Sequence, residues 1–225
     1  MIDIYYIILV LPAAILAMWA QAKVKSTFNK YSKVPVQNGM TGALAARAIL
    51  DANGLQNVRI ERIQGNLTDH YDPRTNIIRL SANVHDRSTV SAVGVAAHEA
   101  GHAVQYAVNY APIKLRASII PLTNLGSSLS MPLVLLGFIF GSELLMFSGI
   151  VLFSLVALFQ LITLPVEYNA SSRAKEILSA SGYVTENEAK GVKKVLSAAA
   201  LTYVAALLVS VMNIIRLVLL ARRRR

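Results

Sequence analysis

The chain has 225 residues, 55% of them hydrophobic and 15% charged, where a soluble domain carries about 25% charged residues. It has no cysteine, which excludes disulfides and thiolate metal ligands and leaves any metal to histidine and carboxylate. The net charge of +10 is gathered after the first apolar segment, around Lys190 to Lys194 and at Arg222 to Arg225, beside apolar spans and without interleaved aromatics. That placement predicts topology signals and lipid-headgroup contacts rather than nucleic-acid binding.

Ile2 to Ala20 is apolar, long enough to cross a bilayer, and has Tyr5, Tyr6 and Trp19 near its ends. A signal peptide would need a basic start, and Met1-Ile2-Asp3 has none, so the segment reads as an uncleaved anchor over 1–20. Residues 21–116 have ordinary polarity and suffice for one small domain. Within them Thr41 to Asn53 predicts a helix closed by Gly54, and Val58 to Ile63 and Asn76 to Ser81 predict two short strands. Between the strands, Asp72-Pro73 marks a turn in Gly65 to Thr75. Val90 to Val108 predicts a further helix with Ser88 as its N-cap. The order helix, strand, strand, helix is an α+β arrangement.

Ser118 to Thr163 is too long for one span of a bilayer core about 30 Å thick. Gly141-Ser142-Glu143 breaks it, so 117–164 reads as a hairpin of two transmembrane helices, the first carrying Pro121 and Pro132. A polar helical stretch over 165–195 and a last apolar block with a basic tail over 196–225 complete the chain. The fold class expected is α+β but mostly helical, with about four transmembrane helices and a small soluble domain between the first and second.

The chemistry lies in His98-Glu99-Ala100-Gly101-His102, inside the expected helix Val90 to Val108. Residues i and i+4 share a helix face, so His98 and His102 point the same way, as two ligands of one zinc must. Glu99 stands where a carboxylate can take a proton from a water activated by that metal. Gln105 and Val108 occupy the places where one class of such sites has Gly and a third His, which excludes that class. Glu143 falls on the far side of the membrane. Glu167 follows the third apolar span, and the two intervening spans return it to the face of His102, which makes it the candidate third ligand. A juxtamembrane carboxylate favoured by the helix macrodipole is the plainer role for it. Ser171, one turn beyond, and Asn169 could orient the ligands or merely be solvated.

The runs Leu67-Thr68-Asp69-His70-Tyr71-Asp72 through Leu80-Ser81, His98 to His102, Leu164-Pro165-Val166-Glu167-Tyr168-Asn169-Ala170-Ser171 and Leu201-Thr202-Tyr203-Val204 resemble the YugP-type neutral zinc metallopeptidases of bacterial membranes. The resemblance covers almost the whole chain. More distantly the chain is similar to the HtpX-type and CAAX-prenyl membrane endopeptidases, in which an Asp follows the ligand Glu by four residues; here Ser171 stands in that place. The resemblance implies a zincin-like catalytic domain with one Zn2+ per chain and an endopeptidase activity.

The reaction expected is hydrolysis of a peptide bond, with His98, His102 and Glu167 on zinc and Glu99 as general base. The substrate is a peptide or protein, and the candidate edge strand to align it is Asn76, Ile77, Ile78, Arg79, Leu80 and Ser81, which could equally be a core strand. Tyr203, Arg173 and His70 are candidates for stabilising the oxyanion, and His85 reads as a turn histidine. Arg216 reads as snorkelling toward the end of its span. The competing function is a non-catalytic membrane scaffold with a structural zinc. Lysines and arginines from Lys23 to Lys194 flank the catalytic side, which positive-inside makes cytoplasmic. A fourth full span would send Arg222 to Arg225 outside, so the last helix is expected to span imperfectly or to pack against the others.

Overall fold

The structure, a computed structural model, describes residues 3–222. The chain divides into two compact units, one built from the chain up to Gln21 with Lys114–Pro165 and the segment from Leu201, the other from Ala22–Ile113 with Val166–Ala200.

The first unit is helical. It is built from parts of α1 (Leu11–Tyr31, preceded by a π-turn over Tyr6–Val10), α5 (Ala111–Phe140), α6 (Glu143–Ala180) and α7 (Glu186–Arg222). These four are, among the described residues, the helices long and apolar enough to cross a membrane. Gly141, at φ 65°, makes the tight turn of the expected hairpin. The backbones of α5 and α6 approach closely at glycines. A Cβ on Gly126 would stand 2.6 Å from the Leu152 carbonyl oxygen, and one on Gly149 would stand 2.7 Å from that of Ser130. Polar side chains on the spans bond back to their own helices: Thr123 to the Ile119 carbonyl, Thr163 to Phe159, Ser210 to Ala206 and Asn213 to Val209. Without water in the hydrocarbon, such internal partners are what make these residues tolerable there.

Arg216 has a specific partner. Its Nε and Nη2 donate to Asp3 Oδ2 at 2.9 and 2.6 Å, and its guanidinium lies 5.2 Å from the Tyr6 ring centroid. The contact joins the start of the chain to the last turns of α7, beside Val134 and Leu217, which pack together near the hairpin. α7 reaches this contact as one continuous helix, Glu186–Arg222. Arg223 to Arg225 lie outside the described residues.

The second unit holds the expected α+β domain. Helix α2 (Gly42–Ala52) is capped by Thr41, whose side chain accepts from Leu44 N, and Gly54 at φ 72° ends it. A three-stranded sheet follows, with β1 (Arg59–Ile63), β2 (His70–Asp72) and β3 (Ile77–Ser81) in the order β1-β3-β2. β1 and β3 pair in parallel, and β2 pairs antiparallel to β3 with Tyr71 opposite Ile78. The short helix α3 (Ala82–His85) leads to α4 (Val90–Ala107), whose N-cap is Thr89 rather than Ser88: the Thr89 hydroxyl accepts from Ala92 N, while Ser88 donates to the Gly39 carbonyl. Ile49, Leu50, Ile78, Leu80, Val93, Ala97 and Val104 close the core with Leu178 and Val192 from the ends of α6 and α7 that belong to this unit.

Two sequence expectations change here. The stretch Gly65 to Thr75 holds a strand as well as a turn. The turn is the expected one, with the Asp72 carboxylate accepting from Arg74 N, Thr75 Oγ1 and Arg79 Nη1. Of the two roles open to Asn76 to Ser81, edge or core strand, the structure has the second: β3 is central, paired with β1 over Ile77–Ser81 and with β2 over Ile77–Arg79, and largely buried, because its apolar side chains serve both faces of the sheet. The edge toward α4 belongs to β2.

The Asp3–Arg216 pair yields a stability prediction. Asp3→Asn or Arg216→Met alone removes one partner of this charge pair among apolar helices, at a cost on the order of 3 kcal/mol. The double variant should melt above either single variant in detergent micelles. Equal melting of all three would show that the pair contributes nothing.

Candidate metal centre

Helix α4 places His98 and His102 one turn apart, with ring centroids 4.7 Å apart and planes at 76°. Glu167 arrives from α6, which runs unbroken from the third apolar span, so the expected third ligand sits on that span's own helix. Its Oε2 lies 3.1 Å from His98 Nε2 and 3.5 Å from His102 Nε2. Donors at about 2.0–2.1 Å around a tetrahedral zinc stand roughly 3.3–3.5 Å from one another, so the separations of Glu167 from the two imidazoles are close to those of ligands sharing one metal. All three ligand atoms lie within 4.8 Å of one another, and Glu167 is 2% exposed. The donor set, two imidazoles and a carboxylate, is one that zinc accepts.

The approach of the two helices depends on Gly101. A Cβ there would stand 2.7 Å from the Ala170 carbonyl oxygen, so any larger residue would push α6 away three positions from Glu167. Ala100, Ala170 and Ala174 are fully buried around the same crossing. Gly101→Ala should therefore weaken zinc binding and cost about 1–3 kcal/mol of stability through overpacking. Zinc titration and thermal melting of the variant check both effects, and wild-type values in each would contradict the role given to this glycine.

The remaining sequence candidates separate. Ser171 Oγ lies 3.1 Å from His98 Nδ1. Asn169 Oδ1 accepts from Gln105 Nε2 at 3.0 Å and from Arg173 Nε at 2.8 Å, so Arg173 is tied to Asn169. Gln105 also places Oε1 2.9 Å from His102 Nδ1. His70 is exposed on β2, its Nδ1 2.8 Å from the Thr68 carbonyl, and His85 faces Asp86 at the end of α3. Tyr203 belongs to the helical unit, on α7.

Glu99 is buried, and its Oε2 accepts from Tyr71 N at 3.0 Å. Because Tyr71 N–H points at Glu99, it points away from β3, and the outer edge of β2 runs beside Glu99. Two further residues of the site, Gln105 and Asp69, carry no local sequence signal of their role. Asp69 accepts from Ser81 N at 2.7 Å and Ser81 Oγ at 3.0 Å, fixing the start of β2 against the end of β3. Burial raises the Asp69 pKa, the Ser81 hydrogen bonds oppose that, and the charge of Glu99 adds to it. The only sequence sign of Asp69 was its place beside His70.

For His102, burial opposes the charged form, but the hydrogen bond and charge of Glu167, the charge of Glu99 and the contact with Gln105 outweigh it and raise the pKa. A pKa raised on folding stabilises the metal-free protein fully below about pH 6.5, and that contribution fades as pH climbs through the raised value. The metal-free melting temperature should fall over that range while zinc affinity rises, as the proton gives way to the metal. Glu167→Gln should flatten the melting profile. A wild-type profile as flat as that of the variant would contradict the assignment.

Fold and site together define a multi-pass membrane protein with a buried His-His-Glu cluster able to hold a metal. Residues 6–222 match the family described as "Putative neutral zinc metallopeptidase". The chain is 52% identical over 215 residues to the "Putative membrane protease YugP" of Bacillus subtilis (strain 168), covering 96% of each chain. The chain belongs to this family. No solved structure matches it.

Proposed function

We propose that the protein is a zinc-dependent endopeptidase that hydrolyses peptide bonds, with His98, His102 and Glu167 holding one zinc and Glu99 as general base. The observation that carries this is the position of Glu99. It neighbours His98 on α4, and its carboxylate reaches the edge strand of the same unit. A purely structural zinc has no use for such a carboxylate and is usually closed by a fourth protein ligand; among the described residues the cluster supplies three.

Zinc, when bound, supplies the Lewis acid that acidifies a water and polarises the scissile carbonyl. Glu99 then takes the proton of the attacking water and delivers it to the leaving amine. The substrate lies extended along the outer edge of β2, where the main chain of Tyr71 faces Glu99, rather than along Asn76 to Ser81. His70, exposed on the same strand, is the oxyanion candidate nearest to that path in sequence; Arg173 is engaged with Asn169.

The catalytic unit faces the cytoplasm by the positive-inside rule, through Lys23, Lys25, Lys30, Lys33, Lys114, Arg116, Arg173, Lys175, Lys190, Lys193 and Lys194. On the other side, Arg216 is neutralised by Asp3 and adds nothing to the competing cluster at the tail.

Glu99→Gln should lower peptide cleavage at least about a hundredfold, in the range of general acid–base catalysis, with zinc content unchanged. The measurement pairs a peptide-cleavage assay with metal analysis of the purified full chain. Undiminished cleavage at full zinc occupancy would defeat the mechanism.

A further inference from the structure

Gln105 is fully buried, carries no charge, and spends every hydrogen-bonding atom of its side chain beside the metal cluster. Nε2 donates to the Val166 carbonyl at 2.7 Å and to Asn169 Oδ1 at 3.0 Å. Oε1 faces His102 Nδ1 at 2.9 Å. We propose that Gln105 is a positioning residue for both kinds of ligand: it holds His102 in the tautomer that turns the Nε2 lone pair toward zinc, and it ties α4 to the backbone that carries Glu167. The inference rests on the zinc-site reading above and deepens it.

The polarity of the amide follows from its neighbours. A carbonyl oxygen only accepts, so the Val166 carbonyl must meet the NH2 of Gln105. A guanidinium Nε only donates, so the atom of Asn169 that meets Arg173 Nε at 2.8 Å must be its oxygen, and that oxygen meets the same NH2. Two independent anchors thus leave the Gln105 oxygen toward His102. An amide oxygen cannot donate, so His102 Nδ1 must carry the proton. The neutral ring then has its lone pair on Nε2, the atom 3.5 Å from Glu167 Oε2.

His98 differs. Its Nδ1 meets the Ser171 hydroxyl at 3.1 Å, and a hydroxyl either donates or accepts, so Ser171 alone does not fix the His98 tautomer. Val166 immediately precedes Glu167, so the same amide that sets His102 also sets the backbone at the third ligand. Metal-ligating histidines commonly give their second N–H to a carboxylate, a carbonyl or water. Here a glutamine three residues along the same helix supplies the oxygen, in a chain that has Ser171 rather than Asp one turn after Glu167.

The test uses the full chain in detergent micelles, with 15N-labelled histidine, in the wild type, Gln105→Met and Gln105→Glu. Competition with a chelator gives zinc affinity, and the ring 15N shifts show which nitrogen carries the proton and which the metal. The wild type should show zinc on His102 Nε2 and a proton on Nδ1. Gln105→Met, close in size but without a hydrogen-bonding group, should bind zinc about 10–100-fold more weakly and lose the protected Nδ1 proton signal. Gln105→Glu keeps an acceptor toward His102 while opposing the Val166 carbonyl, so it should melt lower yet keep the Nδ1 proton. Affinity that tracks melting temperature across both variants, or wild-type affinity in Gln105→Met, overturns the positioning role. Zinc on His102 Nδ1 in the wild type overturns it too. A wild type that holds no zinc at His102 overturns the zinc-site reading and this inference with it.

Discussion

Two helices must come close enough for a carboxylate on one to share a point in space with two imidazoles on the other. That approach, between α4 at Gly101 and α6 at Ala170, is the constraint on which the site depends. A Cβ at Gly101 would stand 2.7 Å from a backbone oxygen that cannot move without moving α6. Around the crossing lie small residues, and the buried amide of Gln105 is consumed in bonds across it. Glu167 reaches His98 and His102 because its helix approaches α4 this closely. The core beneath, from Ile49 and Leu50 of α2 to Leu178 and Val192, keeps α4 fixed while this happens.

The same logic of satisfied polar groups governs each unit in its own solvent. In the helical unit, Thr, Ser and Asn side chains bond to their own helices, and Arg216 finds Asp3. In the other unit, the Asp72 carboxylate gathers the turn before β3, and Asp69 fastens β2 to Ser81. That fastening matters for chemistry, because β2 is the strand whose amide meets Glu99.

What the sequence made legible was whatever repeats locally. The spacing of His98 and His102, the apolar blocks, the break at Gly141 and the helix closed by Gly54 are patterns within a few residues, and the structure has each of them. Glu167 could be proposed because counting spans is also a linear operation. The strand β2 was missed because three residues, His70 to Asp72, are too few to show alternation, and the turn signal of Asp72-Pro73 masked them. The edge was assigned to Asn76 to Ser81 for the same reason: without β2, β3 has an open side. Ser88 and Thr89 are both good caps, and only the extended backbone of Thr89 decides between them. Gly101, Gln105 and the Asp3–Arg216 pair depend on partners 61 to 213 residues away, where no local pattern reaches.

The central claim is that one zinc is held by two histidines of α4 and by Glu167. X-ray absorption at the zinc edge, on the full chain and on Glu167→Ala in detergent micelles, tests it most directly. The account predicts two imidazoles and light oxygen donors with no sulfur, and the loss of one oxygen donor or of the metal itself in the variant. A site with three or more imidazoles, or a spectrum that Glu167→Ala leaves unchanged, would contradict it.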